Sequence, residues 1–190
     1  MPTHFPSVFD RGVIGDGAKI LRPLIISGGP AVGKTICGRA LAVERERAAF
    51  VDADDIRQLV VAGDETLWSG VEGESQLILA AKNIAAMGRN FVRVGFELTI
   101  ADFVTADSLT VYRAELPDCF VVHLRISLDG ARERAGTRKV YLTDGEFELL
   151  HEMIATPPAV DLVIDVEGLT QKEQLAVIRN AWSNASDKSR

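Results

Sequence analysis

The sequence predicts an α/β protein of three layers, a five-stranded parallel sheet with helices on both faces. Three observations predict it. Five short apolar, β-rich runs alternate with segments of helical periodicity along the 190 residues, and such alternation favours parallel strands joined by helical crossovers. A glycine-rich loop, Gly28 to Thr35, stands between the first run and the first helix. Three runs end in polar groups, namely Ser27, Asp52 to Asp55, and Asp102. Ligands of open parallel sheets sit beyond the carboxyl ends of the strands, so these groups are expected to meet in one crevice.

The elements follow in order. Residues 1–20, with Pro2, Pro6, Gly12, Gly15 and Gly17, read as an N-terminal extension ahead of a single domain over 21–185. "PLIIS" (23–27) is a short buried strand, and 33–48 a helix with Ile36, Ala40, Leu41 and Val43 on one apolar side. "AFVDA" (49–53) is the second strand, and 55–62 a short helix. The polar stretch 62–75 reads as a loop. A long helix over about 75–93 repeats apolar residues at spacings of three and four, from Leu77 and Ile78 to Gly88 and Val92, and Gly95 ends it. "FELTIAD" (96–102) is the third strand, 105–116 a helix broken by Pro117, and "CFVVHLRI" (119–126) the fourth strand. A helix begins after Ser127, another covers 144–155, and "AVDLVID" (159–165) and 170–183 form the last strand and helix.

Composition narrows the function. With 47% hydrophobic and 25% charged residues the chain reads as an ordinary globular protein. A net charge of −6 argues against a general nucleic-acid binder. No apolar run approaches the roughly 20 residues of a membrane helix, and "MPTHFPSVFDRG" lacks the basic-then-apolar order of a secretory signal. Cys37 and Cys119 have no metal-ligand spacing and are read as small core residues in a reducing, cytoplasmic setting.

The loop Gly28-x4-Gly33-Lys34-Thr35 fits the phosphate-loop pattern in full. Glycines let the backbone curl so that N–H groups of Gly28, Gly29, Pro30–Gly33 and Lys34–Ile36 can converge on phosphate, Pro30 excepted for want of a hydrogen. The following helix aims its positive end at the same place. Lys34 adds a mobile charge for the β/γ oxygens, and the Thr35 hydroxyl can ligate Mg²⁺. The guanine-reading N-K-x-D motif is missing from the sequence, so ATP is preferred to GTP.

After the second strand, "VDADDIRQL" (51–59) supplies Asp52, Asp54, Asp55 and Arg57. Transfer of a phosphoryl group to a hydroxyl calls for a carboxylate that orients the acceptor and takes its proton. If the strand continues that far, alternation sends Asp52 and Asp54 to one side. Asp54 or Asp55 could instead cap the next helix, and Arg57 could hold an acidic substrate group or a phosphate. Strand, phosphate loop, helix, strand and "VDADDIR" together resemble the small P-loop kinases, within them the chloramphenicol phosphotransferase-like and zeta-toxin-like group. The resemblance covers most of residues 22–180. It implies the P-loop nucleoside triphosphate hydrolase fold, a kinase-type reaction and, by position, Asp54 as the base on the acceptor hydroxyl.

Asp102 resembles the acid that supports the metal in P-loop proteins, with capping of the helix near 105 as the alternative. The segment 127–144 carries Arg132, Arg134, Arg138 and Lys139. In small-molecule kinases a segment after the fourth strand forms an arginine-bearing lid, so the resemblance implies a lid near 132–143. Arg134 and Arg138 are then the groups that neutralise transferred charge, sharing one helix face. Trp68, together with Tyr141, is expected to line the acceptor site with Asp54, Arg57 and Asp102. His123 reads as a core residue, His151 has no partner visible in the sequence, and Asp165 is a weak candidate near the adenine.

The expected function is an ATP- and Mg²⁺-dependent phosphotransferase acting on a hydroxyl of a small molecule: an antibiotic, a sugar, a nucleoside or a sugar nucleotide. Neither nucleic acid nor membrane is an expected partner. The alternatives are an ATP-binding regulatory module or weak ATPase without a small-molecule acceptor, and a zeta-like toxin acting on a sugar nucleotide.

Overall fold

The structure, a computed structural model, describes residues 21–137 and 141–187. The extension expected over 1–20, and Arg138 and Lys139 of the expected lid, lie outside the described residues. Five strands are present: β1 (Leu24–Gly28), β2 (Ala48–Asp52), β3 (Glu97–Ala101), β4 (Phe120–Arg125) and β5 (Leu162–Asp165). They form one parallel sheet in the order β2-β3-β1-β4-β5. The chain leaves β1 toward one edge, returns, and builds the other half from β4, so the strand order reverses beside β1. A crevice opens at such a reversal, and the phosphate loop stands there.

Alternation along the strands builds two apolar layers. Leu24, Ile26, Phe120, Val122 and Leu124 face one side, where they pack with Cys37 and Leu41 of α1 (Lys34–Val43) and Ile178 and Trp182 of α7 (Gln171–Asp187). Ile25, Leu98, Ile100 and Val121 face the other, against Ile84 of α3 (Gly70–Arg93) and Tyr112 of α4 (Ala106–Glu115). This is the three-layer arrangement and P-loop fold that the sequence predicts. Cys37 and Cys119 are free and buried. Among the described residues, no helix is long and apolar enough to cross a membrane.

Several boundaries differ from the sequence reading. α1 stops at Val43 rather than 48. Residues 44–47 are needed to turn the chain back, and the carbonyl of Arg47 already accepts the Glu97 N–H as β2 joins β3. α3 starts at Gly70, five residues before the expected start. β2 ends at Asp52, so the alternation that would have paired Asp52 with Asp54 does not apply. Instead α2 (Ala53–Arg57) begins at once, capped by Asp52, which accepts the Asp54 N–H. The cap expected of Asp54 or Asp55 therefore belongs to Asp52. Likewise Thr105, not Asp102, caps α4. α5 (Leu128–Gly136) and α6 (Asp144–Met153) follow β4, capped by Ser127 and Thr143.

Candidate active site

The phosphate loop is shaped by three left-handed residues: Gly28 (φ 144°), Ala31 (φ 58°) and Gly33 (φ 99°). At Ala31 a side chain occupies a conformation that costs an L-residue about 1–2 kcal/mol, a strain stored in the loop itself. Gly33 starts α1, and no side chain caps that helix. Its first N–H groups are thus left to a ligand, as an anion site requires. Lys34 curls back, its Nζ donating to the carbonyls of Gly28 (2.8 Å) and Gly29 (2.9 Å). Burial opposes its charge more than Asp54 and Asp102 support it, and its pKa falls to about 8.

Behind the loop, Arg134 of α5 donates to the carbonyls of Val32 (3.3 Å), Val166 (2.7 Å) and Leu169 (3.0 Å) and to Gln174 Oε1 (2.9 Å). Gln174 in turn donates to Val32 O (2.8 Å). The pair pins the phosphate loop to the turn before α7. Arg134 lines a cavity of about 330 Å³ with Ala31, Ile36, Leu169 and Gln174. Its hydrogen bonds run to Val32, to Gln174 and to the turn before α7. Arg132 pairs with Glu148 at the surface.

On the other side of the loop lies a groove of about 270 Å³ over Pro30–Ile36, reaching Asp54, Tyr141 and Leu142. It adjoins a cleft of about 410 Å³ lined by Pro30, Lys34, Asp52, Asp54, Arg57, Trp68, Asp102 and Leu142, among others. Lys34 and Asp54 line both. Trp68 does face the cleft, while its body packs with Leu77, Phe103, Leu150 and Ile154 in a small cluster that closes the outer wall. Tyr141 lines the groove over the loop rather than the cleft.

A chain of charges supports Asp54. Its side chain is 72% exposed and accepts from Arg57, whose other arm donates to Asp102 (2.9 Å). Asp102 is 2% exposed, and both its oxygens are engaged: Oδ1 accepts Arg57 and the Phe103 N–H (2.7 Å), Oδ2 the Tyr112 hydroxyl (2.7 Å). The metal-supporting role expected of Asp102 thus meets a carboxylate already used to anchor Arg57. Burial disfavours the Arg57 charge, yet Asp102 and Asp54 outweigh it and raise its pKa. Among the described residues, no three His, Cys, Asp or Glu side chains are grouped to hold a metal ion. Mg²⁺ in nucleotide sites is commonly held by one or two protein oxygens together with phosphates and water. The Thr35 hydroxyl at the groove and Asp52 at the cleft offer such oxygens.

Sequence reasoning missed Tyr112 and Gln174. Tyr112 gave no signal, because its bond to Asp102 depends on how α4 packs under β3. Gln174 did: with Ile178, Trp182 and Ser186 it forms a buried stripe at every fourth position of α7, and a glutamine in such a stripe needs a polar partner. His123 is a core residue, as expected. Burial, then the charges of Lys34 and Arg125, push its pKa down to about 4. His151 packs beside Gly29, and Asp165 pairs with Arg125.

No protein-family model matches the chain, and no curated protein matches it in sequence. Solved structures do match in fold. A sugar kinase from Janibacter sp. HTCC2649 is 16% identical, with 87% of this chain and 95% of that one covered at a TM-score of 0.64. A gluconokinase from Sinorhizobium meliloti 1021 is 14% identical over 91% of this chain and 100% of that one, TM-score 0.64. A shikimate kinase from Acinetobacter baumannii, in complex with shikimate, is 20% identical over 89% and 96%, TM-score 0.57.

Proposed function

We propose that the chain is a small-molecule kinase that transfers the γ-phosphoryl group of ATP to a hydroxyl. The observation that carries this reading is the shared position of Lys34 and Asp54, which line both the groove over the phosphate loop and the adjoining cleft. In this reading the loop amides and Lys34 hold the β- and γ-phosphates. Asp54 takes the acceptor proton as the acceptor oxygen bonds to the γ-phosphorus, and the bridging P–O bond breaks to release ADP. Mg²⁺, when bound, would offset phosphate charge, with Thr35 as one ligand and with Asp102, or Asp52 whose Oδ1 also caps α2, as the supporting carboxylate. The adenine would occupy the cavity beside Arg134, which holds that cavity's wall. The fold likeness to kinases of sugars, gluconate and shikimate supports the reaction type. The finer resemblance to the chloramphenicol phosphotransferase-like and zeta-toxin-like group rests on the run from Asp52 to Arg57. A cytoplasmic location belongs to the same reading.

The test is a panel of hydroxylated compounds with ATP and Mg²⁺, followed by ADP release and by mass spectrometry of the phosphorylated product. Product is expected from at least one compound and from none with Lys34→Ala. ATP consumption that no compound accelerates, with no phosphorylated product, would favour the regulatory module or weak ATPase.

A pH dependence follows from Lys34. Phosphates favour its charged form, so nucleotide binding takes up a proton once the free protein has lost it. The lowered pKa of about 8 places full affinity below that value and a loss above it. Affinity is expected to fall about tenfold between neutral pH and about one unit above that pKa. Calorimetry in buffers of different ionisation enthalpy checks the proton uptake, and Lys34→Met is expected to flatten the profile.

A further inference from the structure

We infer that the acceptor is an uncharged hydroxylated molecule with an apolar body, not a hydroxy acid. This rests on the kinase reading of the same site. The cleft beside Asp54 continues, through Arg57, Gln58, Glu65 and Leu67, into a groove of about 690 Å³ between α2 and α3. Its apolar wall is Ile56, Leu59, Val60, Leu67 and Leu79. Leu59 is 69% and Leu79 47% exposed. A volume of this order suits a ligand of drug size, and large exposed apolar side chains at a cleft mouth mark a surface that something covers. Continuity with the point where Lys34 and Asp54 meet identifies the occupant as the far end of the acceptor. The wall is also held in place: Gln76 of α3 accepts the Glu65 N–H (3.0 Å) and donates to Gly63 O (2.7 Å).

Charge decides the rest. Among the described residues that line cleft and groove, the cations are Lys34 and Arg57. Lys34 belongs to the phosphates. Arg57 is held between Asp54 and Asp102, and the three together carry a net negative charge. Asp64 and Glu65 add carboxylates at the groove, and Gln58, Gln76 and Asn83 are neutral. A carboxylate or phosphate on the acceptor would want a free guanidinium fork. Here it would meet a guanidinium whose two terminal nitrogens each already donate to a carboxylate, with further acids around it, a like-charge arrangement that disfavours a second anion.

The test uses matched triads and reads binding apart from turnover. Each triad holds an uncharged alkyl or aryl polyol, its carboxylate counterpart and its tail-less parent; n-hexyl β-D-glucoside, n-hexyl β-D-glucuronide and glucose make one. Calorimetry with the full chain and a non-hydrolysable ATP analogue measures affinity. The tightest ligands are expected from the uncharged, tailed members, at least about tenfold tighter than their two counterparts. Leu59→Glu and Leu79→Glu, both at exposed positions, are expected to remove that advantage while nucleotide affinity is kept. A carboxylate or tail-less member binding as well, failure of every tailed member to bind, or indifference to both substitutions would each overturn the inference. So would a dimer that Leu59→Glu dissociates, which would assign the face to a second copy. An uncharged ligand that binds at Asp54 but is never phosphorylated would sink the kinase reading and leave the acceptor chemistry standing.

Discussion

Asp54→Asn is expected to lower kcat by about 10² to 10⁴, the span that a positioned general base contributes, with nucleotide affinity little changed at or below neutral pH. The substitution is nearly isosteric, and the asparagine oxygen still accepts from Arg57. The side chain is 72% exposed, so stability depends little on it. What is lost is the group that can take the acceptor proton. A secondary effect has a definite sign. The Asp54 charge is the largest influence that raises the Lys34 pKa, so its removal lets Lys34 lose its proton at lower pH. The decline of nucleotide affinity should therefore begin below the parent's value of about 8. Single-turnover transfer and calorimetric titration across pH separate the two effects. Turnover within about tenfold of the parent would remove Asp54 from the chemistry and direct attention to Asp52, whose carboxylate opens on the same cleft.

What could be read from the sequence was what is local. The phosphate loop, the strand before it and the helix after it lie within twenty residues, and each residue there has a physical reason that needs no distant partner. The strand–helix alternation gave the sheet for the same reason. What the sequence leaves open clusters where a distant element decides. Arg134 shares a basic run with Arg138, but its acceptors lie 32 to 102 residues away, so the sequence could not tell a lid arginine from one that pins the loop. Asp102 stands at a strand end, as expected. That its oxygens accept Arg57 and Tyr112 depends on side chains from α2 and α4 converging at the end of β3. The cap of α2 is an intermediate case. "DADD" offers three acids, and only the end of β2, set by its pairing with Ala101, selects Asp52.

Gly28→Ala is expected to cost roughly 3 kcal/mol or more, a sum of left-handed strain and overpacking, and with it nucleotide binding. Gly28 has φ 144°, and a Cβ there would stand 2.5 Å from the Leu124 carbonyl oxygen and 2.9 Å from Val32 Cγ1. Neither neighbour can yield cheaply. Leu124 is Gly28's partner in the β1–β4 register and is paired on its other side with Ile164, while Val32 is buried and its carbonyl is held by Gln174 and Arg134. Relief of the clash would therefore move the loop. The Gly28 carbonyl is one of the two that hold Lys34, so the ammonium would move with it. Gly29→Ala is the stability control. Its Cβ would meet nothing nearer than 3.6 Å, at His151 Nδ1 and Ile154 Cγ2, and its melting temperature should stay close to the parent's. Gly28→Ala should melt about 6–12 °C lower, at the usual shift per kcal/mol for a chain of this size. Equal melting of the two variants would show that the loop adapts to a side chain at Gly28, and that its curl, rather than being fixed by the sheet beneath it, is set by whatever it binds.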